Sequence, residues 1–511
     1  MKVVFVVSEG QSYAVNLFFS LLEQQGHKVY LVFDPIIFRT NEINVRKLSN
    51  LFDIKKRNIE KIVDIKPDLI GFSVYTKDYQ WSIMMARLIK KELDIPIIFG
   101  GTHCTVVPEE AMSDDVIDIM CVGEGEYALL ELVNSMEKGK MDYSIKNLWF
   151  RTKDGTVIKN DQRPLISDLD SLPFPDAEIF FKQKPIFKKG YLMSSGRGCP
   201  YHCTFCASGY LTDYYAQRGL GKYVRQRSVD STIKELMWAK NKYKYHYVNF
   251  TDDVFVLNIN WLKDFSIQYK QKINAPFFCT ANPGTITDEE LILLKNTNCQ
   301  MIGFGIESAS ENTRINILQR IGKNKRIMEV AKLCHQLGIK FWFDHIFNIP
   351  GETEKEQIEA LQFYNETRPD MINAFWLVYL PKIKIMDIAL EKGILDKELV
   401  SKINRGETST SAYLGIGCEH SFDTFSFLFT VLPLMPKWLI NLIIKKRWHR
   451  FRIEVPFLIK LAIKDLARFK IGRYEDITFP IKLLVTNMID NIGIKWLSGK
   501  SFLTEKEGRL L

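Results

Sequence analysis

Cys199, Cys203 and Cys206 lie in the run Ser195-Gly-Arg-Gly-Cys-Pro-Tyr-His-Cys-Thr-Phe-Cys-Ala-Ser208. This C-x3-C-x2-C spacing gathers three thiolates in one loop, one short of closing a tetrahedral metal site. Clustered thiolates hold iron–sulfur clusters, usually through four cysteines. Three protein ligands leave one metal position open, as chemistry at a metal requires. Gly196 and Gly198 let the backbone wrap closely around a bulky group, and Phe205 stands where a ring can shield a sulfur from water. A zinc knuckle would need His202 as fourth ligand, but that residue adjoins Cys203 and is badly placed for the same tetrahedron. A disulfide framework is disfavoured by nine cysteines, an odd number, with no signal peptide before them.

Three further runs carry carboxylates at the ends of apolar stretches. Asn249-Phe-Thr-Asp-Asp253 offers a pair able to hold an ammonium or sugar hydroxyls. Gly303-Phe-Gly-Ile-Glu-Ser308 offers Glu307 and Ser308, and Asp344-His345 leads into Asn348-Ile-Pro-Gly-Glu-Thr353. Any one of these acids alone could cap a helix or bind a lysine. Asp344 and His345 cannot both face inward on a regular strand, so one of them is the candidate for substrate contact. Loops of a different kind occur earlier: Ser73-Val-Tyr-Thr76, Gly100-Gly-Thr-His103 and Gly123-Glu-Gly-Glu126. Their glycines allow backbone to lie against a large flat ligand.

The elements that must position these groups follow from periodicity. Over residues 1 to 140, short runs rich in Val and Ile (Val3–Val7, Lys28–Phe33, Leu69–Val74, Ile97–Phe99, Ile117–Val122) alternate with helical stretches at Tyr13–Gln25, Tyr79–Glu92 and Glu126–Glu137. This rhythm predicts an α/β fold, a doubly wound, Rossmann-like parallel sheet whose ligands bind beyond the carboxyl ends of its strands. A flavodoxin-like module that binds nothing is the plain alternative. Residues 141–189, with Arg163-Pro-Leu-Ile-Ser-Asp-Leu-Asp-Ser-Leu-Pro-Phe-Pro-Asp176, read as a linker. Residues 190–385 then show six longer strand–helix units, predicting a partial (β/α)6 TIM-type barrel with functional groups at the strands' carboxyl ends. By pattern His246, His335 and Cys334 lie in element interiors and pack in the core. Residues 386–511 form a mostly helical C-terminal region.

Length suits several domains. The formal net charge of +9 is modest for 511 residues and gives no reason to expect a nucleic-acid partner. Its basic excess crowds the C-terminal region, from Lys437, Lys445, Lys446, Arg447 and Arg450 to Arg452, Lys460, Lys464, Arg468, Lys470 and Arg473. These residues alternate with apolar runs that Pro433, Pro436 and Lys437 keep too short to span a bilayer. Packed helices with a solvated basic face and peripheral attraction to anionic lipid both remain open. Free thiols suit the cytoplasm, with or without membrane association.

The cysteine run resembles the signature of the radical S-adenosylmethionine enzymes, and the three glycine loops, with Pro108-Glu-Glu110, resemble their cobalamin-binding domain. The likeness covers about residues 1–385 and implies class B methyltransferase-like chemistry with three cofactors: a 4Fe-4S cluster, S-adenosylmethionine and cobalamin. It implies that Cys199, Cys203 and Cys206 ligate the cluster. Phe205, Asp252 or Asp253, Glu307, Ser308 and the Ile349, Gly351 and Glu352 turn would meet S-adenosylmethionine. Ser73, Val74, Tyr75, Gly100, Gly101, Gly123 and Glu124 would meet the corrinoid. No Asp-x-His-x-x-Gly run follows the first strand, so no lower-face histidine is expected. Asn348 stands where such runs commonly carry glycine. The implied activity is methyl transfer to an unactivated carbon of a small-molecule or lipid-like substrate, with electrons from a flavodoxin or ferredoxin. Radical cyclisation or rearrangement is the alternative, and a non-catalytic corrinoid sensor is a third reading.

Overall fold

The computed structural model describes residues 1–36, 53–408 and 421–451. Arg452, Lys460, Lys464, Arg468, Lys470 and Arg473, with the rest of the region beyond Phe451, lie outside the described residues.

The first sheet has seven strands in the order β2-β1-β3-β4-β5-β6-β7, with β1 Lys2–Ser8, β2 Lys28–Asp34, β3 Leu69–Ser73, β4 Ile97–Gly100, β5 Ile119–Cys121, β6 Leu148–Arg151 and β7 Val157–Lys159. The first five run parallel; β6 and β7 add antiparallel. A sheet covered on both faces must be apolar on both. In β1, Val3 and Phe5 enter one core with Val15, Phe19 and Leu22, while Val4 and Val6 enter the opposite core with Ile62, Ile83 and Ile89. That explains why β1 reads as an unbroken hydrophobic run. Helix Tyr13–Glu23 starts where Ser12 Oγ accepts the Val15 N–H at 3.3 Å.

The stretch expected to be a linker differs from that expectation. Its first part supplies β6 and β7, and its later part holds helix Glu178–Gln183. This short helix is shared by two cores. Ile179 and Phe180 pack into the first sheet's core, while Phe181 packs into the barrel's. Proline-rich composition concealed the apolar triplet that makes the junction.

The second sheet contains β8 Gly190–Met193, β11 Tyr247–Phe250, β12 Phe277–Ala281, β13 Cys299–Glu307, β14 Lys340–Phe347 and β15 Met371–Trp376, six parallel strands in sequence order. Between β8 and β11, the two-residue strands β9 (Gly196–Arg197) and β10 (Arg225–Gln226) pair antiparallel. The outer face packs Val248, Phe250, Phe277, Ile302, Phe304, Phe341 and Phe343 beneath the helices. The opposite face closes near its amino end with Tyr247, Phe278, Met301, Trp342 and Met371. Gly190 and Gly303 leave room for two of these rings: a Cβ would lie 2.4 Å from the Tyr247 ring at Gly190 and 2.1 Å from the Trp342 ring at Gly303. The amino end is thus plugged, and polar residues collect at the carboxyl end.

Helices Ser421–Val431 and Lys437–Lys445 lie against helix Glu354–Thr367 and β15. Phe422, Phe425, Leu428, Phe429, Leu432, Ile440 and Ile443 belong to the barrel's own core, so these helices extend that core. The histidines at 246 and 335 are exposed, contrary to expectation: His246 lies just before β11, and His335 faces outward from helix Asn324–Leu337, whose buried side takes its neighbour Cys334. No helix among the described residues is long and apolar enough to cross a membrane.

Candidate active site

β9 and β10 clasp the base of the cysteine loop. Gly198 leads into it at φ +83°, and a Cβ there would lie 2.6 Å from the Tyr223 carbonyl oxygen, so only glycine permits the turn. Thr204, inside the loop, is held from three directions. Its N–H donates to the Leu318 carbonyl at 3.0 Å, its hydroxyl to that of Ile317 at 2.7 Å, and its own carbonyl accepts the Ile385 N–H at 2.9 Å. Phe205 packs on a cluster that includes Leu318, Ile346, Ile349 and Tyr379. Cys203 is buried, and Cys199 and Cys206 are half-buried. Burial pushes the Cys199 thiol up to about 12, and Asp253, Cys206 and Cys203 add to the rise. Thiols desolvated together resist ionising until a cation compensates them.

One compensating cation is in place. Arg320 Nη1 lies 3.5 Å from Cys203 Sγ, its Nε donates to the Gly305 carbonyl, and Glu307 Oε1 stands 3.9 Å from Nε. Gly305 explains how the guanidinium fits: a Cβ there would lie 2.3 Å from Glu307 Oε1 and 2.8 Å from Arg320 Nη2. The sequence reading missed Arg320, whose only trace was the glycine that makes room for it.

The two aspartates at the end of β11 bracket the cysteine loop. Asp252 accepts from Ser195 twice, the hydroxyl at 2.9 Å and the N–H at 3.2 Å, before the first cysteine. Burial raises its carboxyl to about 7, against the opposing bonds from Ser195 and Gly196. Asp253 Oδ2 accepts the Ser208 hydroxyl at 3.1 Å, just after the third cysteine, and burial raises its pKa as well. Glu307 sits at φ +65°, where the register between β13 and β14 slips. Burial raises its pKa, and Arg320 opposes the rise.

On β14 the two neighbours part company. Asp344 accepts from Trp342 Nε1 and Asn373 Nδ2, both at 3.1 Å, on the barrel's inner side. His345 points into the outer core, where Tyr364 Oη lies 2.7 Å from Nδ1, Gln357 Oε1 3.2 Å from Nε2, and Phe429 packs on the ring. Burial lowers its pKa to about 3, so it is a neutral core histidine. Ser308 is buried and begins a turn, its Oγ accepting the Ser310 N–H at 3.3 Å.

The run after β14 turns through Asn348 at φ +63° and Gly351 at φ +90°, so asparagine serves where glycine is common. Ile349, Gly351 and Glu352 line a cavity of about 320 Å³ with Ile394 and Phe422. Glu352 Oε2 accepts the Asn348 N–H at 2.9 Å, while Oε1 is buried without a protein partner. Burial, then Glu356, raises this carboxyl to about 8.

A larger cavity, about 770 Å³, separates the carboxyl ends of the first sheet from the barrel. Ser73, Tyr75, Gly100, Gly101, Gly123 and Glu124 line it from one side, and Leu192, Ser194, Arg197 and Thr251 from the other. Val74 is the exception, turning into the first sheet's core. Gly101, at φ +105°, passes so close to Val74 that a Cβ would lie 2.5 Å from its carbonyl oxygen. An adjoining cavity of about 320 Å³ shares Gly101, Gly123, Glu124 and Arg197 and reaches Asp252 and Asp253.

Glu124 also ties the two sheets together. Oε1 accepts from Arg197 Nη1 at 2.6 Å and Arg225 Nη2 at 2.8 Å; Oε2 accepts from Arg225 Nη1 at 3.0 Å and the Ile166 N–H at 2.7 Å. Burial works against ionisation, but Arg225 and Arg197 outweigh it and hold the carboxyl below its ordinary value. Glu126 takes the other arm of Arg197 at 2.5 Å.

The donors suit the cofactors that the sequence implied. Three thiols on one loop, with a guanidinium beside Cys203, fit an anionic iron–sulfur cluster, although among the described residues no three ligands close around a single metal ion. The glycine-lined cavity, with Gln11 Nε2 buried at its wall and unpartnered, fits a large ligand rich in acceptors. The unpartnered Glu352 oxygen fits a ligand with hydrogen-bond donors.

Fold and site together are those of a radical enzyme with three cofactors. Residues 193–364 match the Radical SAM superfamily and residues 3–133 the B12 binding domain. The chain belongs to the cobalamin-binding radical S-adenosylmethionine enzymes, with a 4Fe-4S cluster, S-adenosylmethionine and cobalamin as cofactors. Among its relatives is the uncharacterized methyltransferase PH0819 of Pyrococcus horikoshii, 28% identical over 355 residues, covering 67% of this chain and 74% of that protein. The cytidylyl-2-hydroxyethylphosphonate methyltransferase of Streptomyces wedmorensis is 22% identical, covering 74% of this chain and 78% of that one. In fold, the chain resembles the cobalamin-dependent S-adenosylmethionine radical enzyme OxsB, with a TM-score of 0.63 at 14% identity, over 96% of this chain and 83% of that one.

Proposed function

We propose that this enzyme transfers a methyl group to an unactivated carbon of a small-molecule or lipid-like substrate. One observation carries the reading: the glycine loops and Gly196–Gly198, the approach to the cysteine loop, line linked cavities that share Gly101, Gly123, Glu124 and Arg197. Walls shared in this way would hold the two cofactors on one enclosed space and limit water there. When bound, the reduced cluster supplies the electron that splits a carbon–sulfur bond of S-adenosylmethionine, and the corrinoid supplies the methyl carrier.

The chain's own residues position and desolvate. Cys199, Cys203 and Cys206 hold the cluster. Asp252 and Asp253, bound to Ser195 and Ser208, fix the two ends of its loop. Arg320 offsets negative charge beside Cys203. Glu307 and Asp344 both lie within the reach of Arg320, and burial raises the pKa of each. Glu352 offers an unsatisfied oxygen to S-adenosylmethionine. Ser73, Tyr75, Gly100, Gly101 and Gly123 shape the corrinoid's bed. Electrons come from a small redox protein such as a flavodoxin or ferredoxin.

The test is anaerobic incubation with a strong reductant and methyl-labelled S-adenosylmethionine, with and without hydroxocobalamin. S-adenosylhomocysteine that forms only when the corrinoid is present supports methyl transfer. Methionine and 5′-deoxyadenosine alone, with no S-adenosylhomocysteine under either condition, would replace it with radical rearrangement.

A further inference from the structure

Over residues 432–474 the chain carries eleven Lys and Arg against two acids, Glu454 and Asp465. That excess of nine equals the formal net charge of the whole protein, so the remaining sequence is balanced. The described part of the stretch holds Lys437, Lys445, Lys446, Arg447 and Arg450, all exposed, and no acid. Among the described residues, only Arg450 of these five pairs with a carboxylate, Glu354 at 3.2 Å.

Large rings stand among these cations. Trp438 is 65% exposed, Trp448 43% and Phe451 66%. Isolated exposed apolar residues need no explanation, but three aromatics within one short basic segment do. Helix Lys437–Lys445 is anchored from beneath, with Ile440 and Ile443 in the barrel core. Trp438 and Lys445, two turns apart, therefore share its outward side. Arg447, at φ +56°, ends the helix, and Trp448 and Phe451 follow on the next turn. A helix held flat on a domain, with aromatic rings and unpaired cations outward, has the composition of an interfacial element. Indole and phenyl rings settle at the headgroup level, and each nearby cation adds about 1 kcal/mol on an anionic leaflet.

We infer that this face docks the enzyme on an anionic lipid surface. The charge is complementary to lipid phosphates, and no helix among the described residues is long and apolar enough to cross a bilayer. Docking of this kind is peripheral, reversible and weakened by salt. It does not depend on which substrate the cavity takes.

The experiment uses the full-length, anaerobically purified protein, sedimented with vesicles of phosphatidylcholine alone or of phosphatidylcholine mixed with phosphatidylglycerol. Binding is expected to the mixed vesicles only, falling as salt is raised. The variant K445Q/K446Q/R447Q should lose about fivefold in affinity for each charge removed. The variant W438A/W448A should lose binding with its charge intact. Unchanged iron content and thermal unfolding show that both variants are folded. Equal sedimentation with neutral vesicles, no sedimentation at all, or unaltered binding by both variants would overturn the inference. Displacement from vesicles by single-stranded RNA at lower concentrations than the lipid requires would overturn it in favour of a polynucleotide site.

Discussion

The parallel strands of the two sheets present the same end to a shared cavity but arm it differently. The barrel places carboxylates, thiols and a guanidinium at its strand ends, and burial raises the pKa of Asp252, Asp253, Glu307 and Asp344 alike. The first sheet offers mostly bare backbone, at Gly100, Gly101 and Gly123. The contrast separates two tasks. Holding a small charged cofactor at a reacting metal needs point charges at fixed atoms, whereas bedding a broad ring system needs shape. The charges the first sheet does bring to this cavity are already paired: Glu124 and Glu126 turn to the arginines of the cysteine loop and its partner strand, Lys77 pairs with Glu9, and Asp78 accepts the Tyr75 N–H.

That division can be broken from either side. The largest effect is expected from Cys203→Ala, which should abolish reductive cleavage of S-adenosylmethionine, a loss of about a thousandfold or more. Formation of 5′-deoxyadenosine, alongside iron content, is the measurement; cleavage retained at the native rate would remove Cys203 from the metal site. Next comes Glu124→Ala, which leaves buried Arg225 without a carboxylate and Arg197 with Glu126 alone, at a cost of about 3 kcal/mol. Calorimetry should show a lower melting temperature, with the two sheets no longer unfolding together.

Gly101→Ala puts a Cβ against Val74 at a left-handed position, with about 1–3 kcal/mol of strain. It should weaken corrinoid binding, read by absorbance titration, and leave cleavage of S-adenosylmethionine intact, since the distortion stays on the first sheet. The smallest effect concerns Glu352. Its folded pKa, about 8, lies above the ordinary value of 4.5. The folded state therefore keeps a proton that the unfolded chain releases, and stability is full below about pH 4.5 and falls as pH rises through 8. Between pH 6 and 8 the loss is about 2 kcal/mol. Glu352→Gln should flatten that slope in thermal unfolding followed across this range.

Much of this is legible in the sequence alone. The parallel strands showed themselves because burial on both faces forces unbroken apolar runs, as in Val3–Val7. The cysteine loop was legible because its chemistry is local in sequence. Long-range partners were not: Arg320 reaches Cys203 across 117 positions, and no periodicity announces it. The sequence marks Asp252 and Asp253 as candidates for ligand contact but not their bonds to Ser195 and Ser208, which only the fold brings to them. Adjacent residues on β14 were separable in principle, since alternation demands opposite faces. Which of the two turns inward depends on the aromatic shell around His345.

Helix Glu178–Gln183 bears on how such an enzyme can be rearranged by recombination. A module is exchangeable when its boundary crosses few contacts, and here Phe180 and Phe181, neighbours in the chain, belong to different cores. A chimera joined upstream of the helix would bring a foreign first sheet without the residues that fill its side. One joined downstream would ask the barrel to accept a foreign Phe181. The two halves of this protein therefore evolve under a common packing constraint, and an exchange that succeeds must carry the junction's complement from both sides.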